Sequence, residues 1–154
     1  MKSNYIQSKF DSIDLLFNYF SSLPSDEFMK SHIAKYLTVL ISGIYEDIVK
    51  TRIEEYLNNI NSDSEVRNYI NNDLAKSFRN PDTSNLKGVL KKFSTQWVDR
   101  IKSLDSIYTD ALDSIVNNKN LIAHGVNCNI SYDNIREYFI NSKFVIVELD
   151  NLLK

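Results

Sequence analysis

Hydrophobic residues recur along this chain every three or four positions, the period that places side chains on one face of an α-helix. Phe10, Ile13, Leu16, Phe17 and Phe20, with Asp14 among them, form a first stripe. It ends near Leu23-Pro24, because the residue before a proline avoids the α region. Ser25 followed by Asp26 and Glu27 offers a capping hydroxyl and then acids at the positive end of a helix dipole, so a second helix is expected to open there. Its apolar positions Phe28, Ile33, Leu37, Leu40, Ile41, Ile44, Ile48 and Leu57 carry it to about Asn59. Residues 36–45 are apolar on nearly every side, which marks this helix as the centre of a bundle. Gly43 inside it costs about 1 kcal/mol against alanine. Close packing on another helix is the expected reason for it.

Asn61-Ser62-Asp63 reads as a turn, and Ser64-Glu65 reopens a helix through about Phe78. Asn80-Pro81-Asp82 breaks the chain again, followed by a short helix over residues 84–93 with Leu86, Val89, Leu90 and Phe93 on one face. Trp97 and Ile101 lead into a helix whose face is Leu104, Ile107, Tyr108, Leu112 and Ile115/Val116. The last helix opens at Ser131, an N-cap candidate, and carries Ile135, Tyr138/Phe139, Ser142, Val145/Ile146, Leu149 and Leu152/Leu153. That near-heptad stripe is wide enough for a core face plus a dimer interface, or for a core face alone. The pattern predicts an all-α bundle of five or six helices, residues 1–154 forming a single domain.

Composition sharpens this picture at three points. With 3 glycines and 2 prolines among 154 residues, β-hairpin turns would be hard to build. A net charge of −2 argues against a broadly basic nucleic-acid coat, while leaving room for a local patch. The lone Cys128, read as a bystander thiol near a loop, cannot form an intramolecular disulfide, which suits a reducing compartment. No apolar run approaches membrane-spanning length, and residues 1–10 lack a cationic-then-apolar signal pattern, so a soluble cytoplasmic location is expected.

Candidate chemistry gathers in Lys119-Asn120-Leu121-Ile122-Ala123-His124-Gly125, read as one helical turn ending in glycine. His32 is the other histidine; with no second His or Cys at ligand spacing it reads as a surface or packing residue. No His-Glu-x-x-His, Cys-x-x-Cys or glycine-rich phosphate loop occurs, and the pairs Glu46-Asp47 and Glu54-Glu55 lack a Glu-x-x-His partner, so neither a metal nor a cofactor is expected. Lys87, Lys91 and Lys92, with Arg100 and Lys102 beyond, interleave with Phe93 and Trp97. Such a run either steers RNA and offers stacking rings, or is a wet helix face over buried aromatics. Likewise, a cation and a histidine at a helix end can simply complement the dipole.

The motif resembles that of the HEPN superfamily of all-helical nuclease and nucleotide-binding domains, in particular its RiboL-PSP-HEPN branch, where Arg-Asn is followed after two or three residues by Ala-His-Gly. The resemblance extends to Tyr36-Leu37-Thr38-Val39-Leu40-Ile41-Ser42-Gly43-Ile44-Tyr45-Glu46-Asp47, to Phe78-Arg79-Asn80-Pro81, to Phe93 with Trp97, and to Ile130-Ser131. It implies a metal-independent RNA endonuclease acting as a toxin or anti-phage effector. His124 would be the general base or acid, near neutral in its unperturbed pKa. Lys119 would stabilise the phosphate and Asn120 orient it, with Glu46 in support. It also implies a homodimer whose two motifs line one cleft, and an antitoxin or regulatory protein as partner. Two departures stand out. Lys119 replaces the usual arginine, giving up a rigid bidentate fork for a point charge. Val126 occupies the place where some relatives carry a tyrosine modified by a nucleotidyltransferase antitoxin, so that control is not expected. A catalytically silent dimerisation, regulatory or nucleotide-binding module is the competing expectation.

Overall fold

The computed structural model describes residues 3–60 and 63–154, and every regular element among them is an α-helix. The turn expected at Asn61-Ser62 lies outside the described residues. The helices are α1 (Asn4–Ser22), α2 (Glu27–Asn59), α3 (Ser64–Ser77), α4 (Thr83–Lys91), α5 (Thr95–Lys102), α6 (Ser106–Ala123) and α7 (Tyr132–Leu152). Seven replace the expected five or six because the stretch from Trp97 to Val116 is interrupted at Ser103-Leu104-Asp105. Asp105 accepts the Ile107 N–H at 3.0 Å and caps α6. Leu104 kept the apolar spacing intact across this break because it packs on the core from non-helical backbone.

Local chemistry sets the other ends. The α2 cap is Asp26 rather than Ser25, its carboxylate accepting the Met29 N–H at 2.8 Å. Ser131 caps α7 as expected, accepting from Asn134 N–H at 3.0 Å. Asp82 caps α4 by accepting from Asn85 N–H at 2.8 Å, just after the buried Pro81.

Helix α2 touches α1, α3, α6 and α7 and is central to the bundle. Its buried face, Leu37, Ile41, Tyr45, Ile48 and Ile53, meets Phe10, Ile13 and Phe17 of α1 and Phe139, Val145 and Ile146 of α7. Phe139 stacks on Phe17 at 5.7 Å and meets Phe10 edge-on at 6.0 Å, geometries that suit the ring quadrupoles. Tyr45 and Ser142 satisfy each other's hydroxyls inside this core at 2.8 Å. Burial pushes the Tyr45 hydroxyl well above the ordinary tyrosine range, so it stays neutral.

Two expectations for α2 are corrected. Gly43 is exposed, and a β-carbon there would meet nothing within 4 Å, so close packing inside the chain is not its reason. Phe28 is 74% exposed, because it lies on the outer face of α2 against the exposed His32, with ring centroids 4.3 Å apart. The extra breadth of α7 does turn outward, at Ile140 and Phe144, with Phe144 stacked on Tyr108 of α6 at 4.3 Å. No helix among the described residues is long and apolar enough to cross a membrane.

Candidate functional site

The motif is the last part of the 18-residue α6 rather than an isolated turn. Its end is set by Gly125, whose φ of 68° lies in the left-handed region where a β-carbon is strained. The Gly125 N–H donates to Ile122 O at 3.1 Å and the Val126 N–H to Leu121 O at 2.9 Å, the pair of bonds of a Schellman cap. His124 is thereby the C-cap residue. Its backbone N–H closes on Asn120 O at 3.0 Å, while its imidazole is exposed and takes no hydrogen-bond partner among the described residues. The loop beyond is tied back by Cys128, whose buried thiol donates to Asn118 Oδ1 at 3.2 Å. Asn118 in turn donates to Ser114 O at 2.8 Å. The thiol is thus a structural strap and not a bystander.

Lys119 is half-buried, and its Nζ donates to Asn80 Oδ1 at 2.9 Å and to Asn120 Oδ1 at 3.4 Å. Asn80 belongs to the α3–α4 loop. That loop is fixed to α6 by the Thr83 N–H, which donates to Asp113 Oδ1 at 2.7 Å. Asn85 Nδ2 donates to the Asn80 carbonyl at 3.1 Å and steadies the loop from α4. The structure therefore gathers Lys119, Asn120 and Asn80. In the sequence Asn80 stands out only as part of a chain break and of a resemblance, because a contact spanning 39 residues leaves no mark in periodicity.

His124 stands apart from this group. At about 100° per residue, Lys119 and His124 leave the helix axis about 140° apart, whereas Asn120 and His124 share one face. Glu46 lies in the middle of α2, where it pairs with Lys50 at 2.7 Å. Its neighbour Tyr45 bonds Ser142, well into α7, whereas His124 sits next to the start of α7. Glu46 shares no ion pair with Lys119, whose Nζ bonds Asn80 and Asn120.

Of the basic run, Lys92 pairs with Asp73 at 2.6 Å, Arg100 with Glu148 at 2.6 Å and Lys102 with Asp99 at 3.8 Å. Lys87, Lys91 and the neighbouring exposed Arg79 have no ion-pair partner among the described residues. Trp97 stacks on Phe93 at 5.7 Å and meets Tyr56 edge-on at 5.3 Å, so these rings are engaged in half-buried packing. His32 is exposed, its Nδ1 2.9 Å from Phe28 O on its own helix. Among the described residues no three His, Cys, Asp or Glu side chains converge as a metal site would require.

The protein is an all-helical bundle with a cation and a histidine at the end of its penultimate helix. The model of the RiboL-PSP-HEPN family matches residues 4–154, and the chain belongs to that family. No curated protein and no solved structure matches it.

Proposed function

We propose that this protein is a metal-independent RNA endonuclease of the HEPN type, acting as a toxin or anti-phage effector, with its working site shared by two copies of the chain. The observation that carries the reading is the end of α6. There a tethered cation, a polar amide and an exposed, unengaged imidazole stand within six residues of one another. His124 takes the proton from a ribose 2′-hydroxyl, the 2′-oxygen attacks the adjacent phosphorus, and the 5′-oxygen leaves. The leaving oxygen takes a proton from the imidazolium of the second copy. Lys119 offsets the charge that builds on the phosphoryl oxygens, and Asn120 orients the phosphate. The products are a 2′,3′-cyclic phosphate and a 5′-hydroxyl.

Two copies are invoked because Lys119 and His124 diverge around α6 within one protomer, and because the motif itself exposes an apolar side chain, Leu121. Toward the other end of α6, Ile140 and Phe144 of α7 are exposed as well, Phe144 stacked on Tyr108. Lys87, Lys91 and Arg79 would draw the RNA backbone toward Lys119, with Lys92 freed from Asp73 as phosphates compete. Glu46 keeps at most a supporting place, reaching the cleft only from the second copy.

The test is cleavage of several RNAs in EDTA by the purified protein, with His124→Ala prepared identically and product ends analysed. Cleavage that disappears in the variant and leaves cyclic phosphates supports the reading. Equal cleavage by both proteins sinks it. A parent that is inert both as it stands and as Lys119→Arg moves the assignment to a silent interaction module.

A further inference from the structure

The nearest neighbour of the Lys119 ammonium is a side chain from another part of the fold, and its chemistry is informative. Asn80 Oδ1 lies 2.9 Å from Lys119 Nζ, and Asn120 Oδ1 accepts from the same nitrogen at 3.4 Å. An ammonium has three donors and no preferred plane. Two of these donors are held here by amide oxygens, which carry no charge. The lysine keeps its full positive charge, its flexible stem is fixed, and one donor remains for a ligand. A carboxylate in either position would fix the stem equally well while cancelling the charge a phosphate needs.

We infer that Asn80 is a positioning residue for the cleavage site, aiming the Lys119 ammonium at the scissile phosphate in place of the rigid fork that an arginine would bring. The inference rests on the nuclease reading. Asn80 is itself held on both sides. Its carbonyl accepts from Asn85 Nδ2 at 3.1 Å. Three residues on, the Thr83 N–H grips Asp113, on the same helix as Lys119, at 2.7 Å. Between them Pro81 is buried, its φ set by the ring. The loop therefore measures its position from α6 itself. Misplacing a charge by about 1 Å is enough to lower a rate strongly.

The test uses the intact protein and the variants Asn80→Asp, Asn80→Ala, Asn80→Ala with Lys119→Arg, and each Asn80 change in a His124→Ala background for RNA binding without turnover. Helix content by circular dichroism should match the parent throughout. Asn80→Asp, nearly the same shape, should weaken binding of a single-stranded RNA about tenfold and lower the salt slope by about one phosphate contact. Asn80→Ala should lower kcat about tenfold with little change in KM, as expected for lost aim rather than lost charge. Adding Lys119→Arg should restore most of that loss, because a guanidinium brings its own geometry. Unchanged binding and salt slope in Asn80→Asp, or no rescue by arginine, would overturn the inference while leaving the nuclease reading intact. A parent that does not cleave RNA removes the reading and the inference together, and that outcome is distinct from the first.

Discussion

Lys119 and His124 share no hydrogen bond within one protomer, although they belong to one motif at the end of one helix. Half-buried Lys119 turns toward Asn80 of the α3–α4 loop, while the His124 imidazole projects into solvent at the α6 cap.

If the site is built by two copies with one imidazole as base and the other as acid, a His124→Ala protomer should poison its partner. Equal mixing of parent and His124→Ala protein, with time for exchange, should leave about a quarter of the activity, since only a quarter of randomly formed symmetric dimers are then intact. Independent protomers would leave about half. Titrating the mixing ratio distinguishes a squared from a linear dependence. A linear result would remove the shared site.

Gly125 fixes where His124 sits. At φ 68°, with no atom within 4 Å of a would-be β-carbon, replacing it by alanine costs only backbone strain. Gly125→Ala should lower stability by about 1 kcal/mol, read as a lower urea midpoint with an unchanged slope. Gly125→Asn should cost less, since asparagine tolerates the left-handed region. If activity falls in step with the strain, alanine below asparagine, the Schellman cap positions the imidazole. Parent-level cleavage by a destabilised Gly125→Ala protein would separate cap from catalysis.

Much of this was legible in the chain because the relevant physics is local. The cap at Ser131, the stop at Leu23-Pro24 and the break around Asn80-Pro81 follow from side-chain and backbone preferences within a few residues. Lys119, Asn120 and His124 could be singled out for the same reason. The break before α6 was hidden because Leu104 stays on the core without being helical. The exposure of Gly43 and Phe28 depends on which neighbouring helices cover α2, which spacing along one helix does not encode. The Asn80–Lys119 contact joins two such separately legible segments, and only their assembly reveals it.

The start of α1 is fastened to α2 by a cluster of Tyr5, Lys9 and Asp47. Tyr5 donates to Asp47, and Lys9 lies 3.2 Å from the same carboxylate. Chiefly the Tyr5 hydrogen bond, with help from Lys9, holds the Asp47 carboxyl below the usual carboxylate range. A carboxyl with a lowered folded pKa stabilises the fold above its unfolded value, and that contribution fades as pH falls through the folded one. Asp47 is more than half exposed, so solvent screening limits the effect to under about 1 kcal/mol. Denaturation midpoints measured between neutral pH and the acid limb should show a shallower acid decline in Asp47→Asn than in the parent. In Tyr5→Phe, the Asp47 carboxyl should titrate at a higher pH by NMR. Identical acid limbs in parent and Asp47→Asn would show that the cluster is not coupled to folding.

A harder constraint lies five residues further along α2. Arg52 Nε approaches Asp150 Oδ1 to 2.7 Å with both groups buried, though its N–H is not aimed as a hydrogen bond requires. Asp150 Oδ2 accepts the Ser3 N–H at 2.9 Å, and Arg52 donates to Leu153 O at 3.1 Å. One ion pair therefore joins the start of α1, the end of α2 and the end of α7. Arg52 also pairs with Glu55, so Asp150→Ala takes away its buried partner without leaving the guanidinium wholly unpaired, and should cost about 3 kcal/mol in urea denaturation. The pair is not expected to be worth that much in itself, because desolvation opposes its attraction. Arg52→Met combined with Asp150→Leu should accordingly unfold at higher urea than Asp150→Ala alone, water replacing the lost acceptor at the half-exposed Ser3. A double variant as unstable as the sum of the single changes would mean that Arg52 and Asp150 act independently of each other, with no coupling across the pair.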